Sequence, residues 1–263
     1  MNAYLKLCRH FWRRFQTPLR WTALLLAGCE LLLLLIQGCN SAHAWAPYET
    51  VLDAARWGPC FALAALVLFV WVLYGFLTDE TGTSRAIYTL LTLPGPAWML
   101  PLAWAATFLA ALALLLCVQL VLAFAAYPLY LLTQYVACHA YQTYQNEFYA
   151  LAHGDYPPVG IRKGLSYAFV RSAFLRTLLP LNLAELPLWL SRLLLPAAAG
   201  TAALSHRRWR PALGVWAVLL VLAGLQVGWL SIGTPYTGLA ALALEALLLA
   251  GSVRACQASR TLV

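Results

Sequence analysis

Long apolar runs separated by short polar stretches set the pattern of this chain. Six runs have the length of a membrane span: about residues 21–37, 58–77, 98–126, 183–204, 212–232 and 236–253. A span needs roughly 20 apolar residues, so 98–126 is overlong and predicts a helix that tilts or projects from the bilayer. Residues 1–18, ahead of the first run, are patterned differently. Tyr4, Cys8, Phe11, Trp12 and Phe15, continued by Leu19, follow one helical stripe, while Lys6, Arg9, His10, Arg13 and Arg14 take the other side. A basic face opposite an aromatic face is the pattern of a helix lying in the headgroup plane. Pro18 then predicts a turn into the first span.

The connectors carry patterns of their own. Asp79 and Glu80 close the second run, Gly82 breaks the backbone, and Thr83 or Ser84 is placed to cap a short helix over 83–93. Ile87, Leu90 and Leu91 fall at i, i+3, i+4 and give that helix one apolar face, and Pro94-Gly95-Pro96 ends it. Such a helix between two spans lies on the bilayer or docks into a groove on a soluble partner. Residues 38–57, with Glu49 and Asp53, read as a short polar and aromatic loop. Residues 127–182 read as an outer segment, in which eight of the 13 tyrosines fall between Tyr127 and Tyr167. Two uses fit the tyrosines: an interfacial belt at headgroup depth, or a vestibule for an amphipathic substrate. Within the same segment, 161–179 predicts one further interfacial helix, ended by Pro180.

Composition narrows the class. Of 263 residues, 63% are hydrophobic and only 10% charged, where a soluble domain carries about a quarter charged. The expected fold is therefore all-α, a polytopic integral membrane protein with about six spans. The first run is long enough to stay as a span and shows no cleavage site. Seventeen Lys+Arg against nine Asp+Glu give a net charge of +8, which in such a protein reflects topology and anionic lipid rather than nucleic acid. With six spans both termini share a side, and that side holds eleven of the basic residues against six elsewhere. The positive-inside bias therefore places the termini, the 83–93 connector and the turn at Arg207-Arg208 in the cytoplasm. The seven cysteines form no CxxC and no metal-ligand spacing and read mostly as small apolar residues; Cys39 and Cys60 both fall near the expected outer face, where a disulfide between them is conceivable but not expected.

Catalytic chemistry is not written in the chain. It has no GxxxxGK[ST], HExxH or GxSxG pattern, so the expectation is a protein that is not itself an enzyme and carries no cofactor. Its unusual polar residues are charges inside the apolar runs: Glu30, Glu245, and Glu185 with Arg192 seven residues on, about two helical turns. A buried ion costs several kcal/mol unless it is matched, which makes each a functional-site candidate. The alternative is that Glu30 and Glu245 face protein and are neutralised there. The small-residue run Ala197-Ala198-Ala199-Gly200 suits close helix packing.

A basic amphipathic N-terminal helix, six spans and a short helix within TDETGTSRAIYTLLTLP (78–94) resemble the permease subunit of a type-2 ABC exporter in its small six-span form. RKGLSYAFVRSAFLRTLLP (162–180) also looks like a segment of small permeases of this kind from Gram-positive bacteria, while the tyrosine-rich 127–160 is longer than many members carry. The resemblance implies that 1–18 is an elbow helix and 83–93 a coupling helix, with Arg85, Ile87, Tyr88, Leu90 and Leu91 meeting an ATP-binding cassette ATPase. ATP and Mg would sit on that partner, and a second permease chain, identical or different, would complete the pathway. Implied too are a plasma-membrane location and export of an amphipathic peptide, drug or lipid. The competing class is a standalone membrane immunity or accessory protein without transport activity.

Overall fold

The computed structural model describes residues 3–40, 47–78, 96, 98–149, 165–180, 182–205, 213–221 and 235–260. The chain folds into α1 (Ala3–Asn40), α2 (Tyr48–Ala54), α3 (Trp57–Thr78), α4 (Met99–Tyr149), α5 (Leu165–Arg171), α6 (Ala173–Leu178), a 3₁₀ turn at Leu183–Glu185, α7 (Leu186–Ser205) and α8 (Pro235–Arg260). Among the described residues five stretches are long and apolar enough to cross a membrane: Tyr4–Asn40, Trp57–Phe76, Met99–Val136, Leu183–Ser205 and Tyr236–Ala258. The chain is thus all-α, with the long apolar helices of a polytopic membrane protein. Of the remaining expected run, 212–232, only 213–221 is described, and it is helical. Leu24, Leu63, Val121 and Leu247 are each more than half exposed on these helices. In water such surface would be an aggregation hazard; in lipid it is the ordinary outer face.

Four local expectations are corrected. The turn at Pro18 is absent, because α1 runs unbroken through it. Proline removes one i→i−4 bond and crowds the preceding turn, yet here Pro18 sits beside buried Phe15 and Leu19, whose packing holds the helix on course. One turn later the Thr22 hydroxyl donates to the carbonyls of Pro18 (2.8 Å) and Leu19 (3.0 Å). Likewise the third long helix does not end near residue 126: α4 passes through Pro128 and reaches Tyr149, so the first part of the expected outer segment is a continuation of the same helix. Its 51 residues amount to about 75 Å of helix at 1.5 Å per residue. The expected loop 38–57 contains α2, and the single helix expected over 161–179 is two helices, α5 and α6.

The chain forms two compact units. One comprises Met1–Ala23, Ala62–Leu115 and Asn182–Val263; the other comprises Leu24–Phe61 and Leu116–Leu181. In the first, an aromatic cluster holds α1, α3 and α4 together. The Phe15 ring meets Phe76, Trp104 and Phe108 edge-on at 6.1, 6.1 and 6.3 Å, and Trp104 stacks on Phe108 at 5.3 Å. Offset and edge-on pairs of this kind add about 0.5–1.5 kcal/mol beyond area burial. The small-residue run of α7 is buried, as its composition predicted, with Ala197, Ala198 and Ala203 fully enclosed. Two glycines set how closely elements approach there. A Cβ on Gly238 would stand 2.5 Å from the Leu188 amide nitrogen, so the start of α8 crosses α7 backbone to backbone. A Cβ on Gly200 would stand 2.0 Å from Cη2 of Trp104, so that glycine is the seat of the indole ring.

In the second unit α2 is buried like a core element despite its seven residues. Tyr48, Val51, Leu52 and Ala55 pack with Leu34, Trp57, Ala123, Ala126, Tyr130, Ala168, Phe174, Leu175 and Leu178. Between α2 and α3 the chain turns through Arg56 at φ 58°, left-handed backbone that a non-glycine residue adopts at a cost of about 1–2 kcal/mol.

The Gly200 contact gives a direct test. Gly200→Ala should lower the thermal midpoint of the detergent-purified protein, since overpacking a filled core costs about 1–3 kcal/mol. Trp104→Leu should also destabilise, but the double variant should lose clearly less than the two single losses together. Strictly additive losses would show that the ring and the glycine are not in contact.

Candidate functional site

The acids in the apolar helices turn inward. Glu30 on α1 and Gln119 on α4 are both fully buried at 0% exposure. Gln119 Nε2 donates to both carboxyl oxygens of Glu30, to Oε1 at 2.9 Å and to Oε2 at 2.8 Å. At the same residue the indole Nε1 of Trp57, first residue of α3, donates to the Glu30 carbonyl at 3.2 Å. Side chain and backbone of one residue thus join α1 to both α4 and α3. The Gln119 carbonyl oxygen itself has no hydrogen-bond partner among the described residues.

Around this pair α2 adds a tyrosine cluster. The Tyr48 hydroxyl donates to the Ala123 carbonyl at 2.6 Å, and its ring meets Tyr127 and Tyr130 at 5.2 and 5.0 Å. Burial pushes the Tyr48 phenol well above its ordinary value, with nearby Glu30, Tyr127 and Tyr130 adding to the effect, so it stays a donor. Tyr127 and Tyr130 are therefore packing partners of α2, a use apart from the two weighed for the tyrosine-rich segment. Tyr135, further along α4, is exposed.

Glu245 on α8 is 2% exposed and is met by one hydroxyl: Ser191 Oγ on α7 donates to its Oε1 at 2.8 Å. Its Oε2 has no partner among the described residues. Glu185 and Arg192 part company in burial. Glu185 is exposed and closes the 3₁₀ turn ahead of α7, where Asn182 Nδ2 reaches its Oε1 at 3.4 Å; a negative charge at that end of a helix is favoured by the macrodipole. Arg192 lies within α7, partly buried, and still feels the Glu185 charge. The structure brings each buried glutamate to a polar partner, then, and keeps Glu30 and Glu245 in separate units.

Arg85, Ile87, Tyr88, Leu90 and Leu91 lie outside the described residues. Cys39 and Cys60 are both free thiols. No cluster of three or more His, Cys, Asp or Glu that could hold a metal occurs among the described residues. Gln119 and Ser191 were not singled out from the sequence. Their signal was available only as single polar residues inside apolar runs, and it gains meaning once the acid each one meets is known. Comparisons with protein-family models, with curated proteins and with solved structures found no match.

The Glu30–Gln119 pair can be tested by partner deletion. Leaving a buried polar group unmet costs about 1–3 kcal/mol, and more for a charged one, whereas removing both partners can be nearly neutral. Gln119→Leu should therefore lower the thermal midpoint more than Glu30→Leu/Gln119→Leu does. Glu30→Gln should give near-normal yield of monodisperse protein, and Glu30→Lys, which aims a cation at an amide donor, should not. Equal tolerance of Gln and Lys at position 30 would mean that the carboxyl does not face Gln119.

Proposed function

We propose that this chain is the membrane permease subunit of an ATP-driven exporter, moving an amphipathic peptide, drug or lipid outward. The observation that carries the reading is the connector between the second and third apolar runs. Residues 83–93 combine a capping start, a three-residue apolar face at Ile87, Leu90 and Leu91, and a proline stop. The multi-pass helical character of the chain supports it. On this reading 212–232 supplies the sixth span, both termini are cytoplasmic, and a second permease chain completes the pathway. Energy enters from outside the chain, since it has no phosphate-binding loop. Closure of two ATPase subunits on ATP would shift the coupling helices and rock the spans between inward and outward states.

Topology is checked with an impermeant maleimide. A cysteine introduced at Arg207 should be unreactive from outside intact cells and reactive after permeabilisation. Labelling from outside would overturn the six-span arrangement.

The connector is checked by its partner. Burying three aliphatic side chains at about 1.5–3 kcal/mol each is enough to dominate a small interface, with Arg85 and Tyr88 at its rim. Leu90→Asp/Leu91→Asp should strip a co-purifying ATPase from the tagged permease, or leave hydrolysis uncoupled from transport, while membrane insertion is unchanged. A double variant that keeps both partner and transport would sink the coupling role. A wild-type chain that brings no ATPase from its native membrane would favour the standalone immunity or accessory protein.

A further inference from the structure

Residues 165–178 (LSYAFVRSAFLRTL) contain no glycine and no proline, and by propensity they would form one continuous helix. They form two, α5 and α6, because Ser172 sits in extended backbone at φ −65°, ψ 124°. The hydrogen bonds show what holds the break open. In an unbroken helix the amides of Ala173, Phe174 and Leu175 would donate to the carbonyls four residues earlier. Here Ala173 N donates to Asp53 Oδ2 (3.2 Å), Phe174 N to Asp53 Oδ1 (3.3 Å), and Leu175 N to Ser172 Oγ (3.3 Å). The Ser172 hydroxyl donates in turn to Asp53 Oδ1 at 2.8 Å. Regular i→i−4 bonds resume at once on each side, Ser172 N to the Ala168 carbonyl at 2.9 Å and Arg176 N to the Ser172 carbonyl at 3.2 Å.

The exchange is therefore three backbone bonds for four side-chain bonds, and a carboxylate 119 to 121 residues away in sequence accepts three of them. We propose that residues 165–178 are a two-state element: a broken helix while the Asp53 carboxylate of α2 caps α6, and a single continuous helix when that cap is released. Asp53 is the positioning residue. It lies on the exposed side of α2 rather than in its buried face. Every amide it releases has a carbonyl waiting one turn back. Two further contacts, one from α2 and one from the start of α3, act on the same hinge. Glu49 lies 4.0 Å from Arg171, the last residue of α5, and Trp57 meets Phe174 edge-on at 6.2 Å. The position of α2, which lies between α1 and α3 in the chain, is thereby converted into the shape of 165–178. This inference rests on the second unit alone and stands or falls separately from the exporter reading.

The test reads Ser172 directly. The full chain is prepared with ¹³C-labelled serine in lipid nanodiscs, and the Ser172 signal is assigned by its loss in Ser172→Ala. In the wild type its Cα and Cβ shifts should lie in the extended range. In Asp53→Ala they should move to the helical range, and amide exchange at 173–175 should slow as those amides enter a continuous helix. A folded Asp53→Ala protein whose Ser172 stays extended would overturn the proposal, since the break would then be intrinsic to the segment or held by apolar packing. Should the alanine variant fail to fold, Asp53→Asn preserves shape but offers one neutral oxygen in place of two charged ones. A displaced or doubled Ser172 signal is expected there, and an unmoved one overturns the proposal equally.

Discussion

Inside hydrocarbon there is no water to accept what the protein leaves unmet, and each unsatisfied polar group costs several kcal/mol. That constraint explains why α1 and α4 persist through their prolines. A turn at Pro18 or Pro128 would expose several backbone groups, whereas a proline within a continuing helix sacrifices a single bond. It explains the short side chains as well: the hydroxyls of Thr22, Thr107, Thr201, Ser205 and Ser252 all bend back to carbonyls three or four residues earlier. It governs the acids most of all, because Glu30 and Glu245 each accept from a polar side chain of another helix. Among the described residues, Trp104 Nε1, Gln119 Oε1 and Glu245 Oε2 are buried atoms that find no hydrogen-bond partner.

Since lipid is as apolar as leucine, apolar contact alone does little to hold such helices together. Close approach has to do it through dispersion. The first unit uses two devices for this. The buried small residues of α7 let α8 and the Trp104 ring come close, with Gly200 and Gly238 at the tightest points. The Phe15, Phe76, Trp104 and Phe108 rings fill the space where side chains are large. The second unit is built another way, around a short helix, α2, which is buried because its apolar residues and Tyr48 fit between α4 and α6.

Hydropathy made the long helices legible, since a run of about 20 apolar residues has few other uses. Their ends were legible less well, because proline is a stop signal in water and only a weak one in a packed membrane helix. Glu30 and Glu245 could be picked out as costly residues, but Gln119 and Ser191 could not be assigned to them: a partner 89 or 54 residues away leaves no periodic trace. The small-residue run of α7 announced close packing correctly, because no other property of Ala and Gly is useful there. The break at Ser172 was invisible for the opposite reason. Local propensity favours one helix over 165–178, and the competing bonds come from Asp53.

The contrast between Asp53 and Glu30 shows where this structure can change. Both carboxyls hold helices together by accepting hydrogen bonds, and both reach across long stretches of sequence. Glu30 is fully buried, so separating it from Gln119 would leave a carboxyl facing apolar surroundings, a penalty that makes the α1–α4 joint permanent on the time scale of folding. Asp53 is exposed, so breaking its bonds strands no carboxylate in a closed core, and an ordinary hydrogen bond contributes only about 0.5–1.5 kcal/mol net. Its partners lose little either, because each released amide can return to a helical carbonyl. A bond in a buried place and one in an exposed place can share the same geometry. Only the second can be broken and remade while the fold persists, which is why the hinge between α5 and α6, rather than the buried acids, is the element built to move.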